Sequence, residues 1–140
     1  MQGSTAGRVE LAAVIDLLAA AGVLFVLDQS SKWMVQALRI RHVNSSRGVY
    51  ARGDARAGLV LTWVVALASA TALHASGQTF QTQASMAGVG AALGGAAGNL
   101  LDILRRRSVL DFIDLRWWPV FNIADVGIVA GLALAFWPVV

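Results

Sequence analysis

The sequence has no cysteine and only 14% charged residues. The first absence excludes disulfides, thiolate metal sites and cysteine nucleophiles together. The second falls well below the roughly 25% of an average soluble domain. With a mean hydropathy of +0.65, it points away from a soluble globular fold. Histidine is nearly absent too: His42 and His74 are far apart and lack ligand spacing, which argues against a metal site. No internal repeat is visible.

What the chain does have is apolar runs. A bilayer-crossing helix needs about 20 mostly apolar residues, and four such runs, at about 11–28, 57–75, 85–104 and 120–140, consume more than half of the 140 residues. The first run contains one acid, Asp16, and continues into Asp28-Gln-Ser-Ser-Lys32 without a small-residue cleavage pattern. It therefore reads as a retained span and not as a signal peptide. The third run is rich in Gly and Ala, residues that let helix backbones approach closely in a membrane, and is expected inside the bundle. Pro119 is expected to open the fourth helix. The fold class is thus an all-α integral membrane protein, one domain over residues 1–140 with four transmembrane helices. A small β-containing platform is expected over residues 33–56, where Val43-Asn-Ser-Ser-Arg-Gly-Val-Tyr50 reads as turn or short strand.

Nine of the eleven Lys and Arg fall in the connections 33–56 and 105–119. Beside apolar spans, such residues suit anionic lipid headgroups, so membrane lipids and not nucleic acid are the expected partners. Trp33, Trp117 and Trp118 lie near run ends, where an interfacial belt places them.

Acids in or beside apolar runs are costly and usually face a cavity or a partner. Asp16, Asp28, Asp102, Asp111 and Asp125 all qualify. Asp28 and Lys32 share a helix face four residues apart; an ordinary ion pair at a helix end explains them as well as a site does. Asn-x-x-Asp recurs as Asn99/Asp102 and Asn122/Asp125, each placing an amide beside a carboxyl. Asp111 and Asp125 are close enough along the chain for it to fold back and bring them to one depth. Two neighbouring carboxylates do not both ionise easily, so one keeps a proton and the other acts as base. Such a pair activates water against an amide carbonyl.

Four ordered motifs carry a resemblance: Asp28-Gln-Ser-Ser-Lys32, Gly98-Asn99-Leu-Leu-Asp102, Val109-Leu-Asp111-Phe112 and Phe121-Asn122-Ile-Ala124-Asp125. With these the chain resembles the lipoprotein signal peptidases (signal peptidase II), four-span aspartic proteases of bacterial membranes, over roughly residues 11–135. The resemblance implies that Asp111 and Asp125 are catalytic, that Asn99 and Asn122 orient them, that Asp102 supports them, and that Asp28 and Lys32 shape the site. It implies an endopeptidase, without metal or cofactor, that cuts diacylglyceryl-modified prolipoproteins before the lipidated cysteine. It further implies a monomer in the bacterial cytoplasmic (inner) membrane, with the site near the extracytoplasmic face. Counting positive charges gives the opposite orientation; the position of the motifs decides for the family one.

The chain departs from the family pattern at four places, one of them a shortened stretch from Asp111 to Asp125. Ile103 stands where an Arg usually follows the Gly-Asn-x-x-Asp motif, Arg107 stands where a Gly is usual, and the first connection offers Asn44, Gly48 and Tyr50 at altered spacing. Arg105, or failing that Arg106, is expected to supply the missing cation to Asp102 from one helical turn away. Two other readings stay open at this point: a small proton-coupled transporter using Asp16, and a catalytically weak paralogue that binds lipoprotein precursors.

Overall fold

The first helix does not stop where its apolar run stops. In the computed structural model, which describes residues 3–45, 53–77 and 79–137, α1 covers Gly3–Ala37. It ends when Arg39 enters the left-handed region at φ 54° and the Ile40 N–H closes onto the Val35 carbonyl at 2.9 Å, a double-turn closure that satisfies the last carbonyls. Helix α2 covers Gly53–Ala75, and a short connection leads to α3, Gln83–Arg106. Thr82 opens α3: its side chain accepts from the Ser85 N–H, and Ser85 reciprocates to the Thr82 N–H, so two otherwise orphaned donors are satisfied. Arg107, at φ 58°, ends it.

The chain then extends. Strand β1 (Val43–Ser45) pairs antiparallel with β2 (Val109–Asp111), with Val43 opposite Asp111 and Asn44 opposite Leu110. Beyond β2, Ile113 and Phe121 exchange backbone hydrogen bonds of 2.9 and 3.1 Å and close a loop carrying Trp117 and Trp118. Helix α4, Ile123–Ala135, follows with Asn122 as its N-cap.

Helix α3 is the axis of the bundle, and glycine is the reason. Gly90, Gly94 and Gly98 recur every four residues on one face and meet Leu17, Ala21 and Asp28 of α1. A Cβ at Gly90 or Gly94 would enter an α1 carbonyl oxygen. On the opposite face, a Cβ at Gly88 would stand 2.6 Å from the Gly131 carbonyl oxygen, and one at Gly95 would stand 2.5 Å from that of Ala124. With α1 and α4 pressed onto both faces, α3 carries twelve buried residues between Ser85 and Ile103. Leu18, Leu61 and Val129, over 60% exposed, face outward on α1, α2 and α4. Apolar surface of that extent suits lipid and not water.

The four-helix membrane fold and the inner position of the third helix follow the sequence reading. Two helices, Leu11–Ala37 and Gln83–Arg106, are long and apolar enough to cross a bilayer; Leu59–Ala75 and Ile123–Ala135 are shorter apolar helices. Three boundaries need correction. The platform does not lie within 33–56 alone: residues 33–37 continue α1, and the partner of β1 comes from 109–111, because an isolated strand must find its hydrogen bonds elsewhere. Residues 46–52, with Gly48 and Tyr50, lie outside the described residues. The fourth helix is opened by Asn122 and not by Pro119, and it reaches Ala135.

The glycine seam yields a paired prediction. Gly90→Ala should destabilise the detergent-solubilised protein by about 1–3 kcal/mol, the usual cost of overpacking. Gly22→Ala, with nothing within 4 Å of the new methyl, should be neutral or stabilise by up to about 1 kcal/mol. Thermal unfolding of both variants checks this; equal melting temperatures would contradict the seam.

Candidate active site

The site begins with a buried lysine. Lys32 and Asp28 are both 0% exposed and Asp102 is 1% exposed. The Lys32 ammonium lies 2.7 Å from Asp28 Oδ2 and 2.8 Å from Asp102 Oδ2, and donates its third hydrogen bond to Asn99 Oδ1 at 3.0 Å. An ammonium has three donors and no acceptor, so every proton is used. Both carboxylates also accept from the backbone. Asp28 Oδ1 accepts from the Ala124 N–H at 3.0 Å, at the positive end of α4 where a negative charge is favoured. Asp102 Oδ2 also accepts from the Leu110 N–H at 3.4 Å. The first contact ties α1 to the start of α4; the second ties α3 to β2.

Those two tethered elements carry Asp111 and Asp125. Strand β2 ends at Asp111, which is 5% exposed. Asp125 sits in the first turn of α4, where the Asn122 side chain accepts from its N–H at 2.9 Å and its own carboxylate accepts from the Asn122 N–H at 3.1 Å. Two amides link the acids. Asn122 Nδ2 donates to Asp111 Oδ1 at 2.6 Å and to Asn99 Oδ1 at 3.0 Å. Asn99 Nδ2 donates to Asp125 Oδ1 at 2.9 Å. Each Asn-x-x-Asp motif therefore joins a different part of the site. Asn99 faces the acid pair while Asp102 faces the lysine; Asn122 caps α4 and holds both acids.

Both carboxylates line one cavity of about 440 Å³, walled by Leu59, Thr62 and Trp63 of α2, by Asn99, Leu100 and Ile103 of α3, and by Ile128 of α4. The arrangement combines two carboxylates, amides that fix their orientation and an apolar chamber, with no charged side chain but the acids among its lining residues. It has the parts for water-mediated attack on a bound amide.

The structure brings Asp28, Lys32, Asn99, Asp102, Asp111, Asn122 and Asp125 into one network and leaves two expected residues outside. Arg105 is exposed and pairs with no carboxylate among the described residues; the α3 ion pair to Asp102 falls on Arg106, at 3.9 Å. Four residues along the helix, Arg106 lies on the Asp102 face, but the closer cation is Lys32. Asn44 is exposed in β1 and contributes backbone pairing opposite Leu110. Ile103 is buried in the cavity wall and simply makes that wall apolar. Asp16 is half-buried in α1, twelve residues before Asp28, about 18 Å away along the helix and outside the network.

Sequence reading missed Gln29, whose amide donates to Asp28 Oδ2 at 3.0 Å and to the Gly98 carbonyl at 3.2 Å. Its position inside the Asp28–Lys32 motif was the available signal. It also missed Trp63, which donates to the Leu93 carbonyl at 3.0 Å and pins α2 to α3. An isolated Trp in an apolar run gives no such signal.

Known proteins resemble this chain. The family described as signal peptidase (SPase) II matches residues 20–140. A lipoprotein signal peptidase of Nitratidesulfovibrio vulgaris (strain DP4) is 30% identical over 142 residues, covering 86% of this chain and 86% of the relative. One from Moorella thermoacetica is 60% identical over a 45-residue stretch, 32% of this chain and 30% of the relative. Among solved structures, a bacterial membrane enzyme matches with a TM-score of 0.66 at 17% identity, covering 84% of this chain and 88% of that one, a likeness of fold.

Removing the lysine should leave Asp28 buried without a cation and Asp102 with Arg106 alone, 3.9 Å away, among the described residues. Lys32→Met is therefore expected to cost about 3–5 kcal/mol of stability. Adding Asp102→Asn to Lys32→Met should recover part of the loss. Chemical unfolding of the single and double variants measures both; a Lys32→Met protein as stable as the parent would contradict the network.

Proposed function

The chain belongs to the signal peptidase II family of aspartic endopeptidases, and on that premise we propose that it removes the signal peptide from diacylglyceryl-modified prolipoproteins, cutting before the lipidated cysteine. In this reading Asp111 and Asp125 are the catalytic pair. One carboxylate takes a proton from water as the water attacks the scissile carbonyl; the other, protonated, hydrogen-bonds that carbonyl and then gives its proton to the leaving nitrogen. Asn99 and Asn122 hold the two carboxyls at a fixed spacing, and Lys32, Asp28 and Asp102 hold the elements on which they sit. The observation that carries the reading is the shared position of the two acids on one apolar cavity, joined through Asn122 and Asn99.

The substrate reaches the site from the side. Two acyl chains hold the precursor in the bilayer at about 0.8 kcal/mol per buried methylene, so the peptide needs only to bend into the cavity. The protein acts as a monomer in the bacterial inner membrane, with the Asp111–Asp125 end at the extracytoplasmic face. Precursors are lipidated and cleaved there, and this requirement outweighs the crowding of arginine at that end. Asp16 lies outside the network, about 18 Å from Asp28 along α1, and the amide and carboxylate set speaks for an active enzyme over a transporter or a mere binder of precursors.

Two outcomes test the proposal. Purified protein in detergent should release the signal peptide from a lipidated precursor. Asp111→Asn and Asp125→Asn should each lower turnover by at least about a thousandfold, on the scale of losing an essential catalytic group, while melting within a few degrees of the parent. Turnover near the parent rate in either variant would overturn the assignment. An unlipidated precursor should be cut at least about tenfold more slowly, reflecting the lost membrane anchoring; equal rates would contradict lateral delivery.

A further inference from the structure

Asp125 lines two hollows, not one. Besides the inner cavity, it stands at the head of a groove of about 460 Å³ on the outer side of α4. The floor of that groove is Val126, Val129, Ala130 and Ala133, and its rim is the Trp117–Trp118 pair of the preceding loop. The two indoles meet edge to face with centroids 5.9 Å apart. Asp125 supplies the groove's only charge. From Asp125 to Ala133 it runs about 12 Å along the helix, close to the roughly 15 Å of one leaflet of a hydrocarbon core about 30 Å thick.

The geometry points to this groove as the seat of the substrate's acyl chains, an assignment that rests on the proposed function and extends it. A diacylglyceryl-cysteine next to the scissile bond sends two arms back into the membrane, the signal peptide and the acyl chains. They diverge within one residue of the bond being cut, less than 4 Å of chain. A site for such a branched substrate needs two apolar channels that part at the catalytic carboxylates, and α4 separates two of them at Asp125. The inner cavity, with Asn99 and Thr62 on its wall, offers polar groups to a peptide. The outer groove offers almost none, and its depth matches a chain anchored at the interface and reaching the midplane. Ala130 and Ala133 keep the floor low, and the tryptophans cover the top where the glycerol would lie.

A precursor carrying a photoreactive diazirine near the end of one acyl chain tests this directly, bound to the full-length Asp111→Asn protein so that it stays intact. Crosslinks are expected on Val129–Ala133 and on Trp117 or Trp118. Crosslinks mainly on the α2 wall of the inner cavity would overturn the assignment, and so would labels scattered evenly around the bundle, which would mean bulk lipid only. The pattern reads binding, so failure of the parent protein to cleave would count against the proposed function and leave the groove to be decided by the crosslinks. In turnover, Ala130→Phe should shrink the preference for long-chain over short-chain diacyl precursors by about tenfold, the effect of excluding two or so methylenes. Ala72→Phe, on the exposed face of α2, should leave that preference unchanged. An unaltered preference in Ala130→Phe would also sink the proposal.

Discussion

One ammonium group organises this molecule. Lys32 is fully buried between Asp28 and Asp102, and those two carboxylates also accept hydrogen bonds from the backbone of the two segments that carry Asp111 and Asp125. A buried ion pair is weak support for stability, because desolvation cancels much of the attraction. Here its value is positional. Strand β2 is only three residues long, and α4 approaches the site through a hairpin loop. Neither would hold a side chain to within an ångström alone. Anchoring both to the same charged cluster makes the separation of the two acids a property of the helical core.

That cluster in turn depends on the glycine face of α3. Gly98 lies against the Asp28 carboxylate, and any larger residue there would push the acid away from Lys32. Gly90 and Gly94 bring the α1 backbone close enough for Asp28 and Lys32 to reach across to Asn99 and Asp102. The tight side of the bundle is therefore α1–α3–α4. Helix α2 leans on α3 with Trp63 as its polar tether, and the gap this leaves is the cavity. Rigidity lies where the acids are placed, and open space where a substrate has to enter.

The sequence showed the chemistry better than the shape. Acids in apolar runs are costly enough to mark themselves, and seven residues of the network stood out on that ground or through their pairing with such acids. Apolar runs located the four helices because lipid demands long hydrophobic stretches, but not their ends. Helix α1 continues through polar residues to Ala37, since helix termini follow capping and not hydropathy. The strand pairing of 43–45 with 109–111 was illegible because three-residue strands carry almost no pattern. The cation for Asp102 was sought on its own helix, at Arg105 or failing that Arg106. Arg106 does lie 3.9 Å from it, but the closer cation is Lys32 across the bundle, a contact that only tertiary packing specifies. Trp63 acts through a backbone carbonyl, which no side-chain motif announces.

The central claim is that two fixed carboxyls drive water directly onto a peptide bond. A single-turnover reaction in heavy-oxygen water examines that step. With enzyme in excess over lipidated precursor, direct attack by water predicts that every released signal peptide carries one heavy oxygen in its new carboxylate and that no peptide is ever linked covalently to the protein. Unlabelled product from the first turnover, or a signal-peptide acyl group trapped on Asp111 or Asp125, would show that a carboxylate is the nucleophile and would contradict the account.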